Sequence, residues 1–186
     1  MIDIATMLSS LAAEQPIFHS EADFQHALAW CIHTTMPDAK VRLEYRSRLD
    51  ETVYLDIWVQ TASNNIALEL KYPTRKLECV VAGEEFALKN QAAQDIRRYD
   101  FVKDVARLEH VVEAFPNTYG YALLLTNDSS YWAKSLSNAT TDVAFRIHEG
   151  ASIAGTLAWA SHASAGTMSG RERALALRYG SNGLDS

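Results

Sequence analysis

Two strand-like runs joined by a short polar loop leave this chain few ways to fold. Over residues 52–60, Val53, Leu55, Ile57 and Val59 alternate with Tyr54, Asp56, Trp58 and Gln60; over residues 65–72, Ile66, Leu68 and Leu70 alternate with Ala67, Glu69 and Lys71. A period of two sends neighbouring side chains to opposite faces of a strand. Thr61-Ala62-Ser63-Asn64 between them has hairpin length. Closing that loop with Gln60 and Asn65 sets Trp58 opposite Ala67, Asp56 opposite Glu69 and Tyr54 opposite Lys71. All the polar members then share one face, and a slip of one residue would separate them.

The flanking sequence supplies the layers around such a hairpin. Ser20 followed by Asp23 resembles a capping box, and Phe24, Ala27, Leu28, Cys31 and Ile32 continue it as the buried stripe of a helix that Pro37 ends. Ile4, Met7, Leu8 and Leu11 predict a short packing helix before Pro16, and residues 41–47 a further strand. Residues 83–114 read as helical, in one broken helix or two, through Phe86, Leu88, Ala92, Ile96, Tyr99, Val102, Val105, Leu108 and Val112. Residues 119–126 (YGYALLLT) form a nearly continuous apolar run, as in a strand covered on both faces. Beyond it the expectation is a short helix at 131–136, strands at 143–147 and 155–160, a loop at 161–170 and a helical tail at 171–179. The expected fold is α/β, a mixed central sheet with helices on both sides. It forms a single domain over 1–186, with its core at about 20–126 and peripheral elements after it.

Asp56 and Glu69 carry the chemistry. Carboxylates opposed across an antiparallel pair repel, and three things can offset that: a shared proton, a cation such as Lys71, or a bridging divalent metal. Oxygen-only ligands point to Mg²⁺ or Mn²⁺, and two carboxylates with room for phosphate oxygens suit metal-assisted phosphodiester hydrolysis. Lys71, back on the same face two residues past Glu69, can orient or help deprotonate an attacking water and offer charge to the transition state. A solvated salt-bridge ladder is the bland alternative; the strongly apolar strands around both acids argue against it.

An Asp, a loop, then Glu-x-Lys on successive strands, with a helix before and a helix and strand after, resembles the PD-(D/E)XK nuclease superfamily, a restriction-endonuclease-like fold. The resemblance spans roughly residues 20–126. It implies that Asp56 and Glu69 bind metal with the Leu70 carbonyl as a further ligand, and that Lys71 is the catalytic lysine. It also implies an acid from the first core helix, for which Glu21 matches better than Asp23, and a polar residue from the following helix, for which Gln94 is preferred over Gln91. Leu55 stands where the superfamily motif often has proline.

Other motifs add little. The six histidines form no metal-ligand spacing, and no phosphate-cradling glycine loop or nucleophile elbow occurs. Cys31 and Cys79 sit in apolar contexts with no disulfide or metal framework. No apolar run is long enough for a membrane span, and the N-terminus lacks a basic leader, so the expectation is a cytoplasmic protein without a membrane partner. The net charge of −6 is unevenly spread: residues 40–107 hold twelve of the seventeen bases and come to about +1, while the remainder carries −7. Phosphate can thus be met locally, with Arg42, Arg46, Arg75 and Lys76 as the expected backbone contacts. The expected activity is that of an endonuclease using Mg²⁺ or Mn²⁺, with DNA the expected polymer and specificity supplied by a second copy or partner subunit. A non-catalytic binding or assembly module on the same fold is the rival, favoured by the acidic balance.

Overall fold

Asp3 and Ser20 start helices by the same device. The Asp3 carboxylate accepts the Thr6 N–H (3.1 Å) and opens α1 (Ile4–Glu14); the Ser20 hydroxyl accepts the Asp23 N–H (3.1 Å) and opens α2 (Glu21–Thr35). Asp23 reciprocates by accepting the His19 N–H at 2.8 Å. The computed structural model describes residues 3–47, 49, 53–137, 139–148 and 150–182; Thr52, the first residue of the expected second strand, lies outside them.

A meander follows: β1 (Lys40–Arg46), β2 (Tyr54–Gln60) and β3 (Asn65–Lys71), each antiparallel to the last. The chain then leaves the sheet through a hairpin, β4 (Leu77–Val81) and β5 (Glu84–Leu88), and the long α3 (Gln94–Ala114), before β6 (Thr118–Leu124) returns parallel to β3. The central sheet has the order β1-β2-β3-β6. One face, with Ile57, Val59, Ile66, Leu68 and Leu70, packs on Met7 and Leu11 of α1 and Phe24, Leu28 and Ile32 of α2. The other, with Leu55, Trp58 and Ala67, packs on Leu108 and Val111 of α3. Each fully buried Leu or Ile contributes about 1.5–3 kcal/mol. Helices cover both faces, as expected of a mixed α/β sandwich.

Four of the expected elements fail to form. The helix expected from Gly83 begins only at Gln94, because Phe86 and Leu88 are buried on one side of a hairpin and follow a period of two. The turn joining β4 to β5 is Ala82-Gly83, with φ of 51° and 87°, the left-handed pair of a two-residue hairpin turn. An alanine there gives no turn signal.

The tail expected as helix is instead β8 (Leu175–Asn182), paired with β7 (Ser152–Leu157). Leu175 and Leu177 pack with Ile153 and Leu157 on Tyr99, Val102 and Ala106 of α3. The strand expected at 143–147 is a 3-10 turn, Val143–Phe145, seating Phe145 in the same cluster, and the expected helix at 131–136 is turn and irregular chain. Within the expected loop at 161–170 lies one helical turn, α4 (Ala165–Met168). Sheet on one side and the β7–β8 hairpin on the other bury α3 over most of its girth. Among the described residues, no helix is long and apolar enough to cross a membrane.

Candidate functional site

The hairpin register matches the sequence reading: Gln60 pairs with Asn65, Val59 with Ile66, Trp58 with Ala67 and Ile57 with Leu68. The ladder then stops, one position short of Asp56 and Glu69. Strict alternation also breaks here, since Leu55 packs with Trp58 on the α3 face while Ile57 and Val59 face α1 and α2. The expected opposition of Tyr54 and Lys71 does not form; Tyr54 pairs with Arg46 across β1.

Across β1, the regular pairs Leu43–Ile57 and Tyr45–Leu55 flank Glu44, whose φ is 48°. A left-handed glutamate in a strand is strained. It is held by Gln25 of α2, which is buried and donates from Nε2 to the Glu44 carboxylate (2.8 Å) and to the Asp56 carbonyl (2.7 Å). Gln25 thereby ties a helix to both strands at the irregularity. Nothing in its sequence neighbourhood singled it out.

Where the ladder ends, side chains replace it. Asp56 Oδ2 accepts the Leu70 N–H at 2.6 Å, and the Leu70 carbonyl accepts from Lys71 Nζ at 3.0 Å. Glu69 is 2% exposed, with both oxygens gripped by Arg107 of α3: Nε to Oε1 at 2.9 Å and Nη2 to Oε2 at 2.6 Å. Asp104, one turn earlier and also buried, forms ion pairs with Arg107 Nη2 at 2.8 Å and with Lys71 Nζ at 3.0 Å. Acids and cations thus alternate through Glu69, Arg107, Asp104 and Lys71. The spacing of Asp104, Arg107, Leu108 and Val111 is that of one helix face, so a charged pair in line with the apolar stripe was the available signal for it.

Burial dominates the electrostatics. It pushes the Glu69 carboxyl up to about 8, against the pull of Arg107 and with the help of Asp104 and Asp56. Burial also raises Asp56, opposed by the Leu70 N–H and Lys71. For Lys71 burial works downward, but Asp104, Glu21 and Asp56 outweigh it and the ammonium is held above its ordinary value. A lysine so held keeps its proton at neutral pH and stabilises charge rather than acting as a base.

Glu21, at the first turn of α2, accepts the Tyr72 N–H at 2.8 Å and lines a cleft of about 50 Å³ with Lys71 and Arg97. Gln94 does not reach the acids: it donates to Asp128 at 3.0 Å. Gln91 precedes the helix and gives its N–H to the Thr74 carbonyl. The helix reaches the site through Asp104 and Arg107 instead, because α3 starts later than expected and its middle, not its first turn, crosses β3. Arg46, at the end of β1 beside the start of β2, and Arg75, past the end of β3, lie at the acidic end of the sheet. Arg42, opposite Trp58, sits further along, and Lys76 is paired with Glu78 at 3.0 Å. Trp58 stacks on Tyr45 and abuts Phe115, a packing role.

Among the described residues, no group of three or more His, Cys, Asp or Glu side chains is arranged to hold a metal ion. No family model, curated protein or solved structure matches the chain.

Proposed function

We propose that this protein is a metal-dependent nuclease that hydrolyses phosphodiester bonds, with DNA the expected polymer. The observation that carries the reading is the open end of the β2–β3 ladder, which gathers the Asp56 carboxylate, the Leu70 carbonyl, Glu69 and Lys71. It is also where the resemblance to the PD-(D/E)XK superfamily would put an active site.

In kind, the donors fit a hard divalent cation: two carboxylates and a carbonyl, all oxygen. Both acids are pushed up by burial, so charge neutralisation would relieve them. Asp56, Glu69 and the Leu70 carbonyl would hold Mg²⁺ or Mn²⁺, with Arg107 giving way at Glu69. When bound, such a cation lowers the pKa of coordinated water and neutralises charge on the phosphoryl oxygens. Lys71, kept protonated by Asp104, presents its ammonium to a phosphate oxygen and to the attacking water. Gln25, through the Asp56 carbonyl, fixes where the Asp56 carboxylate stands.

Incubation of DNA and RNA substrates with Mg²⁺ or Mn²⁺ tests this, comparing wild type with Glu69→Gln and Lys71→Ala. Cleavage that both substitutions abolish supports it; cleavage that neither affects eliminates the chemistry. The rival reading, a non-catalytic binding or assembly module, draws on the Arg107 grip, which already satisfies both Glu69 oxygens. Calorimetry with Mn²⁺ separates the two, since a module of that kind has no need of a cation at Asp56 and Glu69.

A further inference from the structure

The cations of α3 differ in one respect. Arg98 is paired with Asp142 at 2.7 Å, Lys103 lies 3.8 Å from Asp100, and Arg107 is held by Glu69 and Asp104. Arg97 has no carboxylate partner among the described residues, and its Nε, like that of Arg98, is buried without a hydrogen-bond acceptor. A buried guanidinium N–H without an acceptor is uncommon in folded proteins.

Arg97 lines the cleft beside Lys71, whose other walls are Glu21, Pro73, Asp100 and Leu124. The two acids there are already engaged. Arg171 grips Asp100 through Nε at 3.1 Å and Nη2 at 3.2 Å, and Glu21 Oε2 accepts the Tyr72 N–H. A cleft with a guanidinium fork that no carboxylate among the described residues holds, beside an ammonium, suits a phosphate group, whose oxygens take two parallel N–H donors.

Resting on the nuclease reading, we propose that Arg97 is the phosphate anchor of the substrate, binding a backbone phosphodiester next to the one Lys71 faces. Arg97 contacts substrate in this account but takes no part in bond cleavage.

The experiment measures binding of a fluorescent DNA duplex by the full chain over a range of salt, for wild type, Arg97→Ala, Arg97→Lys and Lys103→Ala. Arg97→Ala is expected to weaken binding by about tenfold or more, the loss of one charge-assisted contact. It should also reduce the salt slope by about 0.9, one phosphate contact. Arg97→Lys, which keeps the charge and loses the fork, should recover part of the affinity and most of the slope, and Lys103→Ala should change neither. In parallel, the Nε–H resonance of Arg97, assigned by its loss in Arg97→Lys, is followed during titration with dimethyl phosphate, and a saturable shift is expected. Wild-type cleavage with unchanged binding by Arg97→Ala overturns the anchor and leaves the nuclease standing. A saturable shift at Arg97 without cleavage of any substrate supports the anion site and removes the nuclease. If neither the duplex nor dimethyl phosphate registers at Arg97 and no substrate is cleaved, both are overturned.

Discussion

Arg107 grips Glu69 through a hydrogen bond from Nε at 2.9 Å and an ion pair from Nη2 at 2.6 Å, and shares that outer nitrogen with Asp104 at 2.8 Å. The pair joins the centre of α3 to the strand that carries the candidate chemistry. An acid so deeply buried is tolerated only because this cation, and not water, faces it.

Removing one partner of a buried pair leaves the other uncompensated. Arg107→Ala is therefore expected to cost about 3 kcal/mol, and the double variant Arg107→Met/Glu69→Leu should recover most of it. Urea denaturation of the four proteins measures both terms, and simple additivity of the two single substitutions would refute the coupling.

The raised Glu69 carboxyl gives stability a definite pH dependence. A group whose folded pKa exceeds its unfolded value favours the fold fully below the unfolded value and loses that contribution as pH rises towards the folded one. For Glu69 the window runs from 4.5 to about 8. Wild type should thus lose stability from pH 5 to pH 8 relative to Glu69→Gln, with the difference read from denaturation midpoints. A difference that grows with pH in the opposite sense would contradict it.

The same titration governs metal binding on the nuclease reading. A coordinating carboxylate must first shed its proton, so Mn²⁺ affinity should rise between pH 6 and 8 and level off above it. Calorimetry in buffers of different ionisation enthalpy should detect proton release at pH 7. Affinity indifferent to pH would place the cation elsewhere.

Gln25 should matter more than its sequence setting suggests. Gln25→Ala removes both hydrogen bonds from the Glu44–Asp56 irregularity and is expected to cost about 2 kcal/mol. Cleavage should fall further than stability accounts for, because Asp56 loses its fixed position. Equal activity at a temperature where both proteins are folded would show that β2 holds Asp56 unaided.

Gly120 marks the close approach of β6 to α3. A Cβ there would stand 3.1 Å from Val112 Cγ2 and 3.3 Å from Leu108 Cβ, and the second contact cannot relax without moving the helix backbone. Gly120→Ala should destabilise by about 1–2 kcal/mol, and Val112→Ala in the same chain should partly restore it, both read as shifts of the denaturation midpoint.

Alternation and capping are local, and they were sufficient to specify the two N-terminal helices, the meander and its register as far as Ile57–Leu68, which brings Asp56, Glu69 and Lys71 to one end of the sheet, though not into the opposed pairs expected. The polar tip of the hairpin and the two-residue period admit only one pairing that buries Ile57, Val59, Ile66 and Leu68 together. Packing decided the rest. Phe86 and Leu88 fit a helical period as well as a strand's, and only the Ala82-Gly83 turn resolves them. The tail became β8 because β7 offered an edge and α3 an apolar face. Arg107 and Asp104, though visible as charges, acquired their partners only when α3 crossed β3, an encounter between residues 38 and 33 positions distant from Glu69 and Lys71. Contacts of that span depend on where whole elements dock, and no local pattern in the chain encodes the docking.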